Sequence, residues 1–446
     1  MMFIDFLITV FNENKGKDAI VWNGKVYSYE WLLERIDYWQ KRIVSEEIPT
    51  NTIAVVEADF SPNAVSLLLA LIEHGCIFVP ITDSVSTKKD KFIEVAEGEY
   101  SFTINKDDEV SIRKLGNNSS HQIYEKLKSS GHPGLVLFSS GTTGESKAAV
   151  HDITGILEKF KTPRHTLRSI TFLLYDHIGG FNTLLYLLSN AGLIVTVKDR
   201  SPDAVLSAIQ KYRVELLPTS PTFLNLILLS EAYNRYDISS LKTVTYGTEP
   251  MPESTLVRFN SLFPDIRLLQ TYGLSEVGIL RSKSKSSDSL WVKVGGEGFE
   301  TRVVDGLLEI KAESAMLGYL NAPSPFTEDG WFQTGDSVLV DGEYIKILGR
   351  KSELINIGGE KVYPQEIESV IQDMANVAEV TVFGEKNPIM GNIVCAKVRL
   401  VNDMDKKIFA RELKLYCSTR LEKFKIPVKI KIIDEEQHSS RFKKMR

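Results

Sequence analysis

The chain has 446 residues, of which 43% are hydrophobic and 25% are charged, with a formal net charge of −5 and a pI of about 5.9. This length allows more than one apolar core, and the charge balance excludes the overall basic surface of a nucleic-acid-binding or membrane-surface protein. Three cysteines, Cys76, Cys395 and Cys417, are far apart and match no metal-ligand spacing. This usage predicts a cytoplasmic protein in a reducing compartment.

The first residues, "MMFIDFLITVF", lack the basic start of a signal peptide and are too short to span a bilayer, so they predict an amphipathic helix. The stretch 177–197 contains no Asp, Glu, Lys or Arg, but its histidine, glycines and asparagines are unfavourable in lipid. We expect a loop, a buried helix and a buried strand there, and no membrane span.

Apolar, β-branched runs alternate with helical patterns through the first two thirds of the chain. The runs that predict buried strands are "TIAVV", "CIFVPI", "LVLF", "ITFLLY", "LIVTV" and "VELLP". Two helical patterns between them, "SPNAVSLLLALIEHG" and "SPDAVLSAIQKY", each open with a serine cap and a proline at the first helical position. The alternation is typical of an α/β fold.

The pattern changes from about residue 290. "TRVVDGLLEIKA" and "SVLVDGEYIKILGR" each contain Asp-Gly between alternating apolar residues and predict hairpins. After the turn-rich "GRKSELINIGGEK" the order is helix, strand, strand, helix. We therefore expect a large multi-sheet N-terminal domain, residues 1–350, and a small α+β C-terminal domain, residues 351–446.

The segment "FSSGTTGESK", residues 138–147, is rich in glycine and hydroxyl groups. It is not a Walker loop, because Glu145 and Ser146 separate Gly144 from Lys147. Glycines, hydroxyls and a lysine can still bind phosphate oxygens, although a polar turn has the same composition.

Ser-Gly-Thr-Thr-Gly followed by a lysine resembles the phosphate loop of the adenylate-forming superfamily, which includes acyl-CoA synthetases, peptide-synthetase adenylation domains and luciferases. The usual form is Ser-Gly-Thr-Thr-Gly-x-Pro-Lys-Gly, whereas this chain has Ser146 for the proline and Ala148 for the last glycine. The resemblance implies that ATP phosphates bind Ser139, Ser140, Gly141, Thr142, Thr143, Gly144 and Lys147.

Further segments resemble the family's motifs in the same order along the chain. "YGTEP" (246–250) and "YGLSEVG" (272–278) resemble the segments around adenine and the α-phosphate. The first implies adenine-side backbone at Gly247, Thr248 and Glu249. The second implies adenine stacking by Tyr272 beside Gly273, an α-phosphate contact by Ser275 and a Mg²⁺ ligand at Glu276; carboxylate oxygens suit this ion.

"WFQTGD" (331–336) resembles the family's ribose-binding segment, which implies that Asp336 accepts hydrogen bonds from both ribose hydroxyls. The segment "GRKSELINIGGEK" resembles the family's interdomain linker. It implies nucleotide binding by Arg350, a hinge at Lys351 about which a mobile C-terminal domain turns, and a tunnel for a thiol substrate at Gly358 and Gly359.

"LLYDHIGGF" (173–181) resembles the family's acyl-pocket segment. It implies that Asp176, His177 and Gly179 line this pocket, with His177 beside the path of the attacking carboxylate. Fatty-acid-activating members tend to have an aromatic residue where this chain has Asp176. In peptide-synthetase domains a carboxylate nearby pairs with the substrate amino group. An amino acid or an amino-substituted acid is therefore an alternative substrate.

The end, "SSRFKKMR", resembles the family's Gly-Lys-x-x-Arg, whose lysine bridges the substrate carboxylate and the α-phosphate. Counting from the arginine selects Lys443 as the catalytic lysine and leaves Phe442 in the glycine position; Lys444 is the neighbouring candidate.

The resemblance implies activation of a small carboxylic acid by ATP and Mg²⁺, with pyrophosphate release, and transfer to the thiol of CoA or of a phosphopantetheine on an acyl or peptidyl carrier protein. His177 and Lys147 join Lys443 as expected catalytic residues. Two alternatives stay open: an amino-acid adenylating enzyme that loads a carrier protein, and a nucleotide-binding relative with impaired turnover.

Overall fold

The computed structural model describes residues 3–139, 145–388 and 390–445. Within them the α-helices are α1 (Asp5–Glu13), α2 (Tyr29–Ser45), α3 (Pro62–His74), α4 (Lys89–Val95), α5 (Gln122–Ser130), α6 (Ile153–Leu157), α7 (Ile178–Ser189), α8 (Pro202–Tyr212), α9 (Pro221–Ser230), α10 (Glu253–Leu262), α11 (Pro364–Gln372) and α12 (Lys406–Ser418). Short 3₁₀ helices are Asp83–Lys88, Glu158–Phe160, Ala232–Asn234, Lys351–Glu353 and Lys423–Lys425.

The first strands in chain order are β1 (Asp18–Trp22), β2 (Lys25–Ser28), β3 (Ile53–Glu57), β4 (Ile77–Ile81), β5 (Tyr100–Ile104), β6 (Val110–Lys114), β7 (Gly134–Ser139), β8 (Lys147–Asp152), β9 (Arg168–Ile170), β10 (Leu193–Val195), β11 (Leu216–Thr219), β12 (Thr243–Tyr246) and β13 (Arg267–Gln270). The later strands are β14 (Gly273–Leu274), β15 (Gly278–Ile279), β16 (Arg281–Ser284), β17 (Trp291–Gly295), β18 (Phe299–Val304), β19 (Leu307–Ala312), β20 (Gly318–Tyr319), β21 (Phe332–Asp341), β22 (Tyr344–Arg350), β23 (Ile355–Ile357), β24 (Glu360–Val362), β25 (Val377–Asn387), β26 (Gly391–Leu400) and β27 (Lys429–Ile432).

The capping residues from which α3 was predicted have their expected roles in the structure. The Ser61 hydroxyl accepts a hydrogen bond from the Ala64 amide at 3.0 Å, Pro62 opens the helix, and Gly75 ends it with a φ of +84°. A serine cap removes an unpaired amide at the helix start, and glycine adopts the left-handed conformation without steric cost. Apart from its last two positions, α3 is buried throughout.

Two seven-stranded sheets form the large part of the molecule. Their orders are β13-β12-β11-β9-β10-β1-β2 and β20-β8-β7-β4-β3-β5-β6. Strands β1 and β9 to β13 run parallel, as do β7, β4, β3 and β5. One apolar core contains residues of both sheets together with α2, α3 and α7. The α/β prediction is thereby confirmed.

The two Asp-Gly segments form hairpins, as predicted. In the β18–β19 turn Asp305 and Gly306 have φ values of +50° and +75°, the left-handed pair that an Asp-Gly turn provides. These hairpins belong to an antiparallel sheet of order β16-β17-β22-β21-β19-β18. Its register sets Asp336 of β21 opposite Arg350 of β22.

The C-terminal region has its own sheet, β25-β26-β27, and its own apolar core, which α11 and α12 cover. The predicted order of helix, strand, strand, helix is found there.

Strand β9 is shorter than the apolar run "ITFLLY" suggested, since it ends at Ile170. Among the described helices, none combines the length and apolar character needed to cross a membrane.

Candidate active site

A cavity of about 1050 Å³ lies where the six-stranded sheet, the carboxyl ends of β12 and β13 and the C-terminal region meet. Residues from five separate predicted motifs line it: Gly247, Thr248, Glu249, Tyr272, Gly273, Asp336, Arg350 and Lys443. Segments almost two hundred residues apart in sequence therefore share one cleft. We call it the central cleft.

Asp336 lies at the wall of the central cleft with two partners. Its Oδ1 atom is 3.0 Å from Nε of Arg350, and its Oδ2 atom accepts a 2.5 Å hydrogen bond from the Tyr272 hydroxyl. Burial raises the pKa of the Asp336 carboxyl, while the Arg350 charge and the Tyr272 hydroxyl act against that shift. Each carboxylate oxygen has a second lone pair, so the group can still accept hydrogen bonds from a ligand.

The turn after β12 needs a residue without a side chain at its first position. A Cβ atom on Gly247 would lie 2.6 Å from Oγ1 of Thr271, closer than side chains pack. Thr248 has a φ of +70°, a left-handed conformation that costs energy for a β-branched residue. The Glu249 carboxylate follows and accepts hydrogen bonds from the amides of Thr222 (2.8 Å) and Lys444 (2.9 Å). Strained backbone of this kind is typical of a ligand-binding turn.

The glycine- and hydroxyl-rich segment connects the antiparallel strands β7 and β8. Ser139 ends β7 and Lys147 begins β8, whereas Ser140, Gly141, Thr142, Thr143 and Gly144 lie outside the described residues. Asn321 holds the second side of this segment: its Oδ1 accepts from the Ala148 amide and its Nδ2 donates to the Ser146 carbonyl, both at 2.9 Å. No sequence motif pointed to Asn321, since it acts from 173 positions away.

Two buried contacts hold the Ser275–Glu276 segment. Tyr319 donates a 2.6 Å hydrogen bond to Oε1 of Glu276, and its ring centroid lies 5.3 Å from Nζ of Lys147. Nε2 of His151 lies 2.6 Å from the Ser275 carbonyl oxygen. Burial lowers the pKa of His151 to about 4, so the ring is neutral at pH 7 and donates this bond through an N–H. Both supporting residues were missed by sequence reasoning.

No group of three or more His, Cys, Asp or Glu side chains able to hold a metal occurs within residues 3–139, 145–388 and 390–445. This does not conflict with Mg²⁺ at Glu276, because Mg²⁺ is commonly bound by one or two carboxylates together with substrate phosphates and water. The recorded hydrogen bond of Glu276 uses Oε1 only. The donor set therefore fits an ion that reaches the site with a phosphate substrate.

On the predicted acyl side, His177 caps α7: its Nδ1 accepts a 3.2 Å hydrogen bond from the Gly179 amide. Burial, reinforced by the charges of Arg441 and Lys443, lowers the pKa of His177 to about 3. The neighbouring Asp176 is paired with Arg441, at 2.5 Å between Oδ2 and Nη2. These residues therefore lie close to the C-terminal end of the described chain.

Both candidate lysines line the central cleft, and their side chains have different partners there. Nζ of Lys444 forms a 2.9 Å ion pair with Glu368 of α11, so this side chain is held on the C-terminal region. Desolvation by neighbouring protein atoms lowers the pKa of the Lys443 ammonium group, with Arg350 adding to the effect, while Glu249 and Asp336 oppose it; the residue nevertheless remains exposed to solvent. The charges at Lys443 are thus those of the central cleft.

The predicted hinge adjoins the central cleft, between Arg350 and Ser352 of its lining, whereas the residues of the predicted thiol tunnel lie outside it. Lys351 begins a 3₁₀ turn directly after β22. Gly358 and Gly359 form the turn between β23 and β24 with φ values of +59° and +99°, and they do not line the central cleft.

Two family models match the chain. "AMP-binding enzyme" matches residues 9–306, and "AMP-binding enzyme C-terminal domain" matches residues 366–443.

Curated relatives include indoleacetate–CoA ligase of Aromatoleum aromaticum, 28% identical over 330 residues that cover 68% of this chain and 64% of that protein. A long-chain-fatty-acid–CoA ligase of Mycobacterium tuberculosis is 27% identical over 320 residues, 66% of this chain and 63% of that protein. The matches thus span somewhat less than two thirds of these relatives' length.

Solved structures of similar fold include the anthranilate CoA ligase AuaEII in complex with anthranoyl-AMP, with a TM-score of 0.83, 16% identity and coverage of 100% of this chain and 95% of that one. Another is the o-succinylbenzoate CoA synthetase of Bacillus subtilis with its acyl-adenylate intermediate, with a TM-score of 0.74, 21% identity and coverage of 98% and 96%. The amide bond synthetase of Marinactinospora thermotolerans has a TM-score of 0.77, 19% identity and coverage of 98% and 97%. A large N-terminal and a small C-terminal part are common to this fold.

Proposed function

The chain belongs to the AMP-binding enzyme family, and on that premise we propose that it is an AMP-forming carboxylate–thiol ligase. In the proposed reaction a small carboxylic acid attacks the α-phosphate of ATP, pyrophosphate leaves, and the acyl-adenylate passes its acyl group to a pantetheine thiol. The observation that carries the proposal is the convergence of Tyr272, Asp336, Arg350 and Lys443 on the central cleft.

The barrier to the first step is mainly repulsion between the carboxylate and the phosphate anions. Lys443, which lines the central cleft, would offset that repulsion with its ammonium group, because fixed positive charge near the reacting oxygens stabilises the charge that develops there. Asp336 and Arg350 would hold the ribose, and the turn 247–249 would face the adenine. Lys147 and the hydroxyls of the phosphate loop would bind the departing pyrophosphate.

Burial lowers the pKa of His177 to about 3, so its imidazole is neutral at pH 7; Nδ1 accepts from the Gly179 amide and the single N–H is on Nε2. We assign it a packing and hydrogen-bonding role beside the acid, since neutral imidazole carries no charge that would trap the carboxylate. Glu276 would hold Mg²⁺, which supplies positive charge to the phosphate oxygens when it is bound.

The acceptor is proposed as CoA, because the curated relatives named above are CoA ligases. A phosphopantetheine on a carrier protein has the same reacting thiol and is the second acceptor to test. An amino-acid substrate is less favoured, because Oδ2 of Asp176 already accepts from Arg441 and from Thr82. The hinge at Lys351 and the thiol tunnel at Gly358 and Gly359 are part of the same proposal.

The test is ATP–pyrophosphate exchange with Mg²⁺ across a panel of aliphatic, aromatic and amino acids, followed by AMP release with CoA, with phosphopantetheine and with a simple amine. We expect acid-dependent exchange, and AMP release that depends on a thiol. Exchange with amino acids alone would support the amino-acid alternative. ATP binding without exchange for any acid would support the impaired relative, and either outcome overturns the proposal.

The matched variants are Lys443→Ala and Lys431→Ala. Both remove one lysine from the C-terminal region, but Lys431 is exposed on β27 and away from the central cleft. Exchange should fall by about 100-fold or more in the first variant and stay unchanged in the second. Equal activity in both would contradict the role given to Lys443.

A further inference from the structure

The segment 437–445, which we call the terminal strap, crosses from the C-terminal region to the large N-terminal part. It turns back on itself through hydrogen bonds from the Ser439 amide to the Lys443 carbonyl (2.9 Å) and from the Phe442 amide to the Ser439 carbonyl (2.8 Å). At its base the Gln437 amide and His438 contact Glu379 of β25. The strap is thus anchored on the C-terminal side and carries Lys443 near its tip.

Arg441 joins the strap to the large part through an ion pair and a hydrogen bond. Nη2 of Arg441 lies 2.5 Å from Oδ2 of Asp176, and its Nε donates to the Ser84 hydroxyl at 3.0 Å. Thr82 donates to the same Asp176 oxygen at 2.7 Å. One guanidinium therefore contacts two separate segments of the large part, the 3₁₀ helix Asp83–Lys88 and the segment before α7.

Burial makes this contact asymmetric. The side chain of Asp176 is 4% exposed and that of Arg441 is 27% exposed. Among the described residues, Oδ1 of Asp176 is buried without a hydrogen-bond partner and Oδ2 accepts from Arg441 and Thr82; Arg441 supplies the directly paired counter-charge, while the Arg200 charge also interacts with this carboxylate. Removing one partner of a buried pair leaves the other charge uncompensated.

The position of the pair in sequence links it to the chemistry. Asp176 directly precedes His177, the cap of α7, and Arg441 lies two positions before Lys443. We propose that Arg441 and Asp176 are positioning residues that fix Lys443 in the central cleft for adenylate formation and have no part in thiol transfer. This inference rests on the proposed function, because it assigns the pair to one of its two half-reactions.

The experiment compares Arg441→Gln and Asp176→Asn with Arg411→Gln, a matched control on the exposed face of α12. The readouts are ATP–pyrophosphate exchange with the most active acid of the panel, and thioester formation from the synthetic adenylate of that acid with CoA. We expect exchange to fall by about 10- to 100-fold in both variants, and thioester formation to change by less than about twofold in Arg441→Gln. Arg441→Lys keeps the positive charge but loses the planar N–H donors of the guanidinium. Its exchange rate should lie between those of the unaltered protein and Arg441→Gln.

Exchange in the double variant Asp176→Asn/Arg441→Gln should be no slower than in the less active of the two single variants, because both changes remove the same interaction. Additive losses, or equal losses in the two half-reactions, would overturn the proposal.

If no acid supports exchange in the unaltered protein, the proposed function fails, but the contact is still tested. Hydrogen–deuterium exchange of the strap amides with ATP and MgCl₂ present should become faster in Arg441→Gln and Asp176→Asn and stay unchanged in Arg411→Gln. Unchanged protection in all three would refute the positioning role.

Discussion

Phe442 occupies the position where the family has glycine, and its backbone explains why glycine suits that place. Its φ is +52°, in the left-handed region that costs a residue with a Cβ atom about 1–2 kcal/mol. The ring offsets this cost through its neighbours. Its centroid lies 5.2 Å from those of Phe172 and Phe223 and 5.5 Å from that of His438, while the Arg200 guanidinium is 5.8 Å away.

These contacts predict an unusual order of two substitutions. Phe442→Ala loses the ring, which we place at about 2–4 kcal/mol for a partly buried phenylalanine with aromatic neighbours, and keeps the left-handed cost. Phe442→Gly loses the same ring but recovers about 1–2 kcal/mol of backbone strain. Glycine gains roughly 0.5–1 kcal/mol of freedom when the strap detaches, so about 0.5–1 kcal/mol of advantage remains.

The assay is native-state hydrogen exchange of the amides of Ser439, Phe442 and Met445, all of which form hydrogen bonds within the strap. Both variants should exchange faster than the unaltered protein. Phe442→Gly should retain about two- to fivefold more protection than Phe442→Ala. Outside left-handed positions, alanine usually gives the more stable protein than glycine. Greater protection in Phe442→Ala than in Phe442→Gly would therefore show that backbone strain at this residue does not control docking of the strap.

Three further changes test other contacts of the site. Asn321→Ala removes the amide that holds one side of the phosphate loop, so ATP affinity measured by calorimetry should fall by about 3- to 10-fold, whereas equal affinity would exclude that role. Burial lowers the pKa of His151 from 6.5 to about 4, so the unfolded chain binds the extra proton between those values. The free energy of unfolding, measured by urea titration, should therefore fall by up to about 3 kcal/mol as the pH drops from 6.5 to 4. In His151→Gln this free energy should depend less on pH over the same range. Lys444→Ala should lower pyrophosphate exchange by less than about tenfold, against about 100-fold for Lys443→Ala, and the reverse order would transfer the catalytic role to Lys444.

Local chemistry made several elements predictable. The serine and proline that start α3, the glycine that ends it, and the Asp-Gly turn between β18 and β19 each act within a few residues. Such signals do not depend on the rest of the chain, which is why the sequence pattern predicted them correctly.

Sheet order could not be predicted, because it depends on distant partners. Strand β1 pairs with β10 about 170 residues later, and no local pattern specifies that neighbour. Strand β9 ends early at Ile170, while Leu173 and Leu174 lie beyond the strand although they continue its apolar run.

In the site, too, some residues could be recognised in the sequence, whereas contacts between distant segments could not. Resemblance to the family's motifs pointed to Asp336, Arg350 and Tyr272, which the fold brings to one cleft. It did not predict that Arg441 pairs with Asp176, since a carboxylate beside a pocket has the same sequence whether it meets a substrate or another side chain. Only the three-dimensional approach of the terminal strap decides between these partners.

We infer that the Glu249 carboxylate couples nucleotide binding to docking of the strap. It follows the strained turn that is proposed to face adenine, and it accepts a hydrogen bond from the Lys444 amide of the strap. A nucleotide that orders this turn also prepares the acceptor for the strap, and a docked strap prepares the turn for the nucleotide. Because such coupling is reciprocal, the factor by which ATP tightens the strap must equal the factor by which the strap tightens ATP. Loosening the strap from the far side, at Arg441, should therefore weaken nucleotide binding at a turn which that residue does not contact.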